Sequence, residues 1–160
     1  MTNDGVTRFN PNLYKNGNVC ISILNTWAGE KWSSCQTISS VLIALCSVLN
    51  KYPFENEPGQ DKNSKSFNSY HKTIEYKNID FAICDIFLNQ RLISQFQIFY
   101  PFMKQHFINN YEKLIQFIDS KYDDEITVEN VNIYNMTTII DYPRLKDKLI
   151  KTKQFIETIK

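Results

Sequence analysis

Strand and turn material at the front, with helices over the C-terminal two-thirds, is the organisation that this 160-residue sequence predicts. Three observations carry it. The short, apolar, β-branched run Val19-Cys20-Ile21-Ser22-Ile23-Leu24 is bracketed by turn residues. Apolar residues then recur at i, i+3, i+4 and i+7 over several long stretches, the mark of helices with one buried face. Between the last two of those stretches, Ile126, Val128, Val131 and Ile133 alternate loosely, as in a short strand or two.

The elements follow in order. Residues 1–7 are polar and turn-like. Asn10-Pro11-Asn12 forms a turn, because proline fixes φ and asparagine side chains close turns with their own amides. Lys15-Asn16-Gly17-Asn18 forms a second, since Asn-Gly tolerates positive φ. Cys20 is thus held beside a turn, eight residues after Asn12. Trp27 and Trp32 read as packing residues. The hydroxyls after Trp32, on Ser33, Ser34 and Thr37, cap a helix that runs to about Asn50. Its apolar residues, from Ile38 through Leu42 and Cys46 to Leu49, predict that two-thirds of its surface is buried.

Proline and glycine make Lys51 to Gln60 a loop, and the polar residues 61–69 continue it over the surface. A helix from Tyr70 to about Asn89 is apolar nearly all round after Phe81, except at Asp85. The pattern leaves Leu92 to Tyr100 open. Pro101 starts a helix to about Lys121, with Met103, Phe107, Tyr111, Leu114 and Ile118 in its stripe. After the strand material, Asp141 signals a last helix from Pro143 to Lys160, with Leu145, Leu149, Ile156 and Ile159 on one face and a solvated row of lysines mostly opposite.

Bulk composition narrows the function classes. The length fits one domain or one domain plus an appendage, and 42% apolar residues suffice for a core. A net charge of +1 without a basic run gives no field for nucleic acid. The four cysteines, Cys20, Cys35, Cys46 and Cys84, form no Cys-x-x-Cys pair. His71 and His106 lie far apart, so no zinc-ligand spacing exists and no cofactor is implied. There is no signal peptide, and no apolar run near the ~20 residues that span a bilayer. The expectation is an intracellular chain with reduced thiols and no membrane partner, cytoplasmic with the nucleus also open to it. Cys46 and Cys84, on helical apolar faces, read as small buried hydrophobes, and Cys35 reads as a loop cysteine.

The stretch from Asn10 to Trp32 carries a resemblance. Asn10-Pro11-Asn12, then Asn16-Gly17-Asn18-Val19-Cys20-Ile21-Ser22-Ile23-Leu24, then Trp32 resembles the active site of ubiquitin-conjugating (E2) enzymes. Their pattern is His-Pro-Asn, a short turn, Gly-x-Val/Ile-Cys-hydrophobic-x-Ile-Leu, and a tryptophan before a helix. Asn10 stands where most of the family carries histidine, and asparagine there is similar to a subset of large, divergent E2s. Asn56-Glu57-Pro58-Gly59 resembles the corresponding loop of that subset, which is charged by the second, non-standard ubiquitin-activating enzyme. Ser33-Ser34-Cys35 departs from the usual Ser-Pro-Ala of the loop that contacts E3 ligases.

The resemblance implies an α+β, UBC-like fold with an antiparallel sheet packed on helices. It marks residues 1–118 as the E2 domain and 119–160 as a helical C-terminal extension. In E2s a stretch like this one lies well inside the domain, so the resemblance also implies that the N-terminal helix and first strands are missing here. A sheet edge and an apolar face of the helix after Cys20 are then expected to be exposed.

The implied chemistry is acyl transfer in the ATP-dependent ubiquitination pathway. Cys20 accepts ubiquitin, or a ubiquitin-like protein, from the activating enzyme (E1) as a thioester and passes it to a substrate lysine or an E3. The thioester keeps the acyl group reactive toward amines and thiols. Asn12 donates to the oxyanion or braces the active-site loop. Glu57 orients the acceptor lysine and eases its deprotonation. The competing reading is a catalytically incomplete E2-like module that binds ubiquitin, E2 or E3 partners without carrying the acyl group. A thiol hydrolase is disfavoured, because no histidine lies near Cys20 in sequence.

Overall fold

Turn chemistry organises the first part of the chain. The computed structural model describes residues 4–89, 93–94, 97–121 and 125–158, which divide into two compact units. One comprises residues 4–71 with 130–136, the other residues 72–129 with 137–158.

In the first unit the Asn10-Pro11-Asn12 turn closes through the Leu13 N–H on the Asn10 carbonyl at 2.9 Å. Gly17 has φ of +89°, as the Asn-Gly turn requires. The apolar run after it is not a strand. Val19 makes one isolated bridge to Leu13, Ile21 is extended, and Ser22–Leu24 form a 3₁₀ turn that ends on Asn25 at φ of 59°. Asparagine tolerates this left-handed conformation, and it stops the extended run after three residues.

Helix α1 (Ile38–Val48) starts at a capping box: Thr37 accepts from the Ser40 N–H and Ser40 accepts from the Thr37 N–H. At its other end two asparagine amides, Asn10 Nδ2 at 2.7 Å and Asn56 Nδ2 at 2.9 Å, donate to the Val48 carbonyl. Such a carbonyl has no partner within the helix itself. The expectation of a mostly buried α1 fails. No residue of it is buried, and Ile38 and Ile43 are 79% and 71% exposed. An apolar face of α1 is thus exposed. Cys46 is exposed with that face rather than buried, and Trp32, at 47% exposed, is not a packing residue. Burial in this unit comes instead from aromatic residues, with Phe54 of the Pro53–Asn56 3₁₀ turn packed against Tyr70 and Tyr134.

In the second unit, the C-terminal part of α2 (Phe67–Ile79) runs into a π-helical segment, Asp80–Asp85, and then α3 (Ile86–Leu88). Helix α4 (Tyr100–Ser120), with proline at its start, and α5 (Tyr142–Thr158) complete the core. Phe87, Phe107, Ile118, Leu145, Leu149 and Ile156 are all buried in it. The region from Leu92 to Tyr100 includes a 3₁₀ turn at Gln97–Phe99, and residues 90–92 and 95–96 fall outside the described set.

Lys148 of α5 does not belong to a solvated row. It pairs with Asp80, and with Asp85 at 2.8 Å, while Lys77 reaches Asp80 at 3.0 Å. Burial disfavours the Asp80 carboxylate, yet its bonds to Lys148 and Lys77 outweigh that and lower its pKa. Burial likewise opposes the charge on Lys148, and its two carboxylate partners raise its pKa on balance.

Strands β1 (Thr127–Val131) and β2 (Met136–Ile140) pair as a two-stranded antiparallel hairpin. A 3₁₀ turn, Asn132–Tyr134, and a left-handed Asn135 at φ of 48° connect them. Helices and hairpin together make an α+β architecture.

Candidate functional site

Cys20 and Asn12 are joined directly. The Cys20 N–H donates to the Asn12 carbonyl at 2.8 Å, and the Asn12 side-chain Nδ2 donates to the Cys20 carbonyl at 2.7 Å. Asn12 is 5% exposed, and its own N–H is taken by Asn10 Oδ1 at 2.9 Å. Asn10, 1% exposed, therefore links the turn to the end of α1 as well. The Asn12 amide has a defined orientation, because turning it over would set its oxygen against the Cys20 carbonyl. Its Oδ1 is buried and has no hydrogen-bond partner. In this arrangement one amide N–H of Asn12 is spent on bracing the backbone of Cys20, and only its second remains for a reacting group.

A residue missed by the sequence reading fixes the other side. Thr26 Oγ1 accepts from the Ile21 N–H at 3.1 Å and donates to the Val19 carbonyl at 2.8 Å. Both neighbours of Cys20 are thereby tied to one hydroxyl. The only hint in the sequence is a threonine following the asparagine that ends the turn. The Cys20 side chain is half-buried.

Glu57 stands in a different set of contacts. It follows the Pro53–Asn56 turn, and its Oε2 accepts from the Tyr134 hydroxyl at 2.7 Å. The Arg8 guanidinium lies 3.8 Å from the same oxygen. Glu57 is thus a part-buried, partnered acid rather than a solvated one. Arg8 lies over the Tyr14 ring at 3.8 Å and the Tyr134 ring at 4.7 Å, and donates to the Pro11 carbonyl through Nε and Nη2. Burial, then the hydrogen bond to and charge of Glu57, raise the Tyr134 pKa far above its ordinary value, so its hydroxyl stays a donor. Asn12 and Cys20 are therefore brought together, and Glu57 stands apart from them, linked to the Asn10–Asn12 turn through Arg8. Among the described residues no group of three or more His, Cys, Asp or Glu can hold a metal ion.

The ubiquitin-conjugating enzyme family model matches residues 5–81, a stretch that contains Asn12, Cys20 and Glu57. Over that stretch the chain is similar to ubiquitin-conjugating enzymes and fits an E2, UBC-like domain. It is 45% identical over 87 residues to ubiquitin-conjugating enzyme E2 Z of Homo sapiens, covering 53% of this chain and 25% of the relative. To the Danio rerio protein of the same name it is 37% identical over 113 residues, covering 69% of this chain and 34% of the relative. A probable ubiquitin-conjugating enzyme E2 of Acanthamoeba polyphaga mimivirus is 36% identical over 121 residues, with 65% of this chain and 8% of the relative covered. The chain thus spans about a quarter of the length of the human relative.

These matches fit the E2 Z-like subset. The α+β architecture with its helical C-terminal part agrees with a UBC-like E2 fold. No helix among the described residues is long and apolar enough to cross a membrane.

Proposed function

We propose that the chain acts as an E2 module, with Cys20 carrying ubiquitin or a ubiquitin-like protein as a thioester. In the first step the Cys20 thiolate attacks the carbonyl of the E1-bound thioester; a C–S bond forms and the E1 thiolate leaves. In the second step a lysine amine that has given its ammonium proton to solvent attacks the same carbonyl. The C–N bond forms, the surplus proton passes to solvent, and Cys20 leaves as thiolate. With an E3 cysteine as acceptor, sulfur replaces nitrogen.

The observation that supports this best is the reciprocal pairing of Asn12 with Cys20. A carrier thiol must present its acyl group in one repeatable direction, and fixing the backbone on both sides of the cysteine does that. Glu57 serves as the acid that orients the acceptor lysine, and must then exchange a contact with Tyr134 or Arg8 for one with the lysine. Likeness to the E2 Z proteins supports charging by the second activating enzyme; the cytoplasm, or the nucleus, is where this reading places the reaction.

The test is to incubate the chain with ATP, ubiquitin and either activating enzyme, and to run the products without reductant. A reducible adduct abolished by Cys20→Ala is expected. No adduct with either enzyme would leave the binding-only module as the better reading.

A further inference from the structure

We propose that Tyr134, at the tip of the β1–β2 hairpin, is a positioning residue for the Cys20 site and acts on it through Arg8 and Glu57. This rests on Cys20 as the acyl carrier. The hairpin tip, residues 130–136, belongs to the same compact unit as residues 4–71 although it lies more than a hundred residues after Cys20 in sequence. Tyr134 is buried. Its hydroxyl holds the Glu57 carboxylate at 2.7 Å, and its ring faces the Arg8 guanidinium at 4.7 Å. A cation over an aromatic face is attracted by the ring quadrupole, and more strongly where water is excluded.

Arg8 converts that hold into backbone geometry. Its Nε and Nη2 donate to the Pro11 carbonyl at 3.2 and 2.5 Å. The N–H of the same peptide group, on Asn12, is held by Asn10 Oδ1 at 2.9 Å. The peptide plane between Pro11 and Asn12 is therefore pinned at both ends. Asn12 leaves that plane and makes both of its bonds to Cys20. The tip grips the same loop further: Lys15 Nζ donates to the Tyr134 and Asn135 carbonyls at 2.7 and 3.2 Å, and the Arg8 N–H reaches Met136 Sδ at 3.0 Å. Loss of the Tyr134 side chain takes away one of the two rings against Arg8, Tyr14 remaining at 3.8 Å, and the hydroxyl that holds Glu57. Arg8 then sits less firmly on the Pro11 carbonyl, the Pro11–Asn12 plane is less restrained, and the direction in which Cys20 presents the acyl group loosens.

Single-turnover discharge of the Cys20 thioester to free lysine reads this. Tyr134→Leu is expected to lower the first-order rate at saturating lysine by about tenfold, the scale of a modest misplacement of reacting atoms. Reading the rate at saturating lysine separates this loss from any change in lysine affinity caused by releasing Glu57. Tyr134→Phe keeps the ring over Arg8 and loses only the hydroxyl, so it should restore most of the rate. Amide exchange at the Asn12 and Cys20 N–H groups is measured alongside and needs no activating enzyme. It should speed up in the order parent, Phe, Leu.

Parent-like discharge and exchange in Tyr134→Leu would overturn the proposal. A parent chain that forms no adduct, with exchange still following that order, would remove the carrier reading and leave the positioning contact standing. Should Tyr134→Leu fail to fold, Tyr134→Phe decides alone: measurably slower discharge with faster Cys20 exchange supports the proposal, and parent values for both overturn it.

Discussion

Replacing Asn10 with alanine removes a single side chain that ties three parts of the site together. Two bonds go. The Asn12 N–H, on a residue only 5% exposed, loses Asn10 Oδ1 as its acceptor. A buried donor without a partner costs about 1–3 kcal/mol. The Val48 carbonyl loses Asn10 Nδ2 but keeps Asn56 Nδ2 at 2.9 Å, so only the net worth of one hydrogen bond is lost there, about 0.5–1.5 kcal/mol. The two add to about 1.5–4.5 kcal/mol. Asn10→Asp separates the contributions, since it keeps an acceptor for the Asn12 N–H but sets a carboxylate oxygen against the Val48 carbonyl. It should also destabilise, with the Asn12 N–H still protected. Urea denaturation followed by tryptophan fluorescence suits the question, because both tryptophans, Trp27 and Trp32, lie in the unit that holds Asn10. Amide exchange at Asn12 reports the orphaned donor directly. An alanine variant within about 0.5 kcal/mol of the parent, the range of ordinary surface changes, would refute the reasoning.

The second unit offers two further predictions. Asp80 has a lowered pKa in the fold, so its contribution to stability is present above the unfolded carboxylate value of ~3.9 and is lost as pH falls through the lower folded value. Lys148 has a raised pKa, so its contribution is present below ~10.4 and is lost as pH rises through the higher folded value. Lys148→Met should therefore flatten both ends of the stability–pH curve measured by thermal melting. It should cost roughly 2–3 kcal/mol at neutral pH, the low side for a broken buried pair because Lys77 still serves Asp80. Cys84 is buried, and burial pushes its thiol up to about 11 against the opposing hydrogen bond of Thr152. Alkylation of the native chain at pH 8, mapped by mass spectrometry, should modify the exposed Cys35 and Cys46 well before Cys84. Comparable rates at Cys84 would contradict its placement.

What the sequence disclosed depended on how local the cause was. Helix α4 and the start of α5 were legible to about one residue, because Pro101 and Asp141-Tyr142-Pro143 mark the starts and long apolar stripes define the helices. The expected end of α5, with Ile159 and Lys160, lies outside the described residues. The E2-like pattern singled out Asn12 and Cys20, eight residues apart across two short turns, but left open what Asn12 does; the two bonds between them are seen only in the fold. Strand β2 was not foreseen, because Thr138 occupies a buried position in its alternation and hides the period in hydropathy. In β1 the apolar Val128 is exposed, so the alternation that suggested a strand does not mark its buried face. The π-helical segment has no composition of its own, and Lys148 looked solvated until α5 brought it to Asp80 and Asp85. The partners of Glu57 were out of reach for the same reason: Tyr134 is 77 residues away, and no local rule connects them. On α1 the stripe predicted burial, but periodicity records which face is apolar, not whether anything covers it.

The central claim is that Cys20, and no other thiol of this chain, carries the acyl group. Intact-mass and peptide mass spectrometry of the chain after charging with ATP, an activating enzyme and ubiquitin tests it most directly, since Cys35 and Cys46 are exposed and compete for the same chemistry. The expected product is one ubiquitin per chain, mapped to Cys20 and released by thiol reductant. An adduct mapped to Cys35 or Cys46, or one that survives reductant as an isopeptide on lysine with Cys20 free throughout, would contradict it.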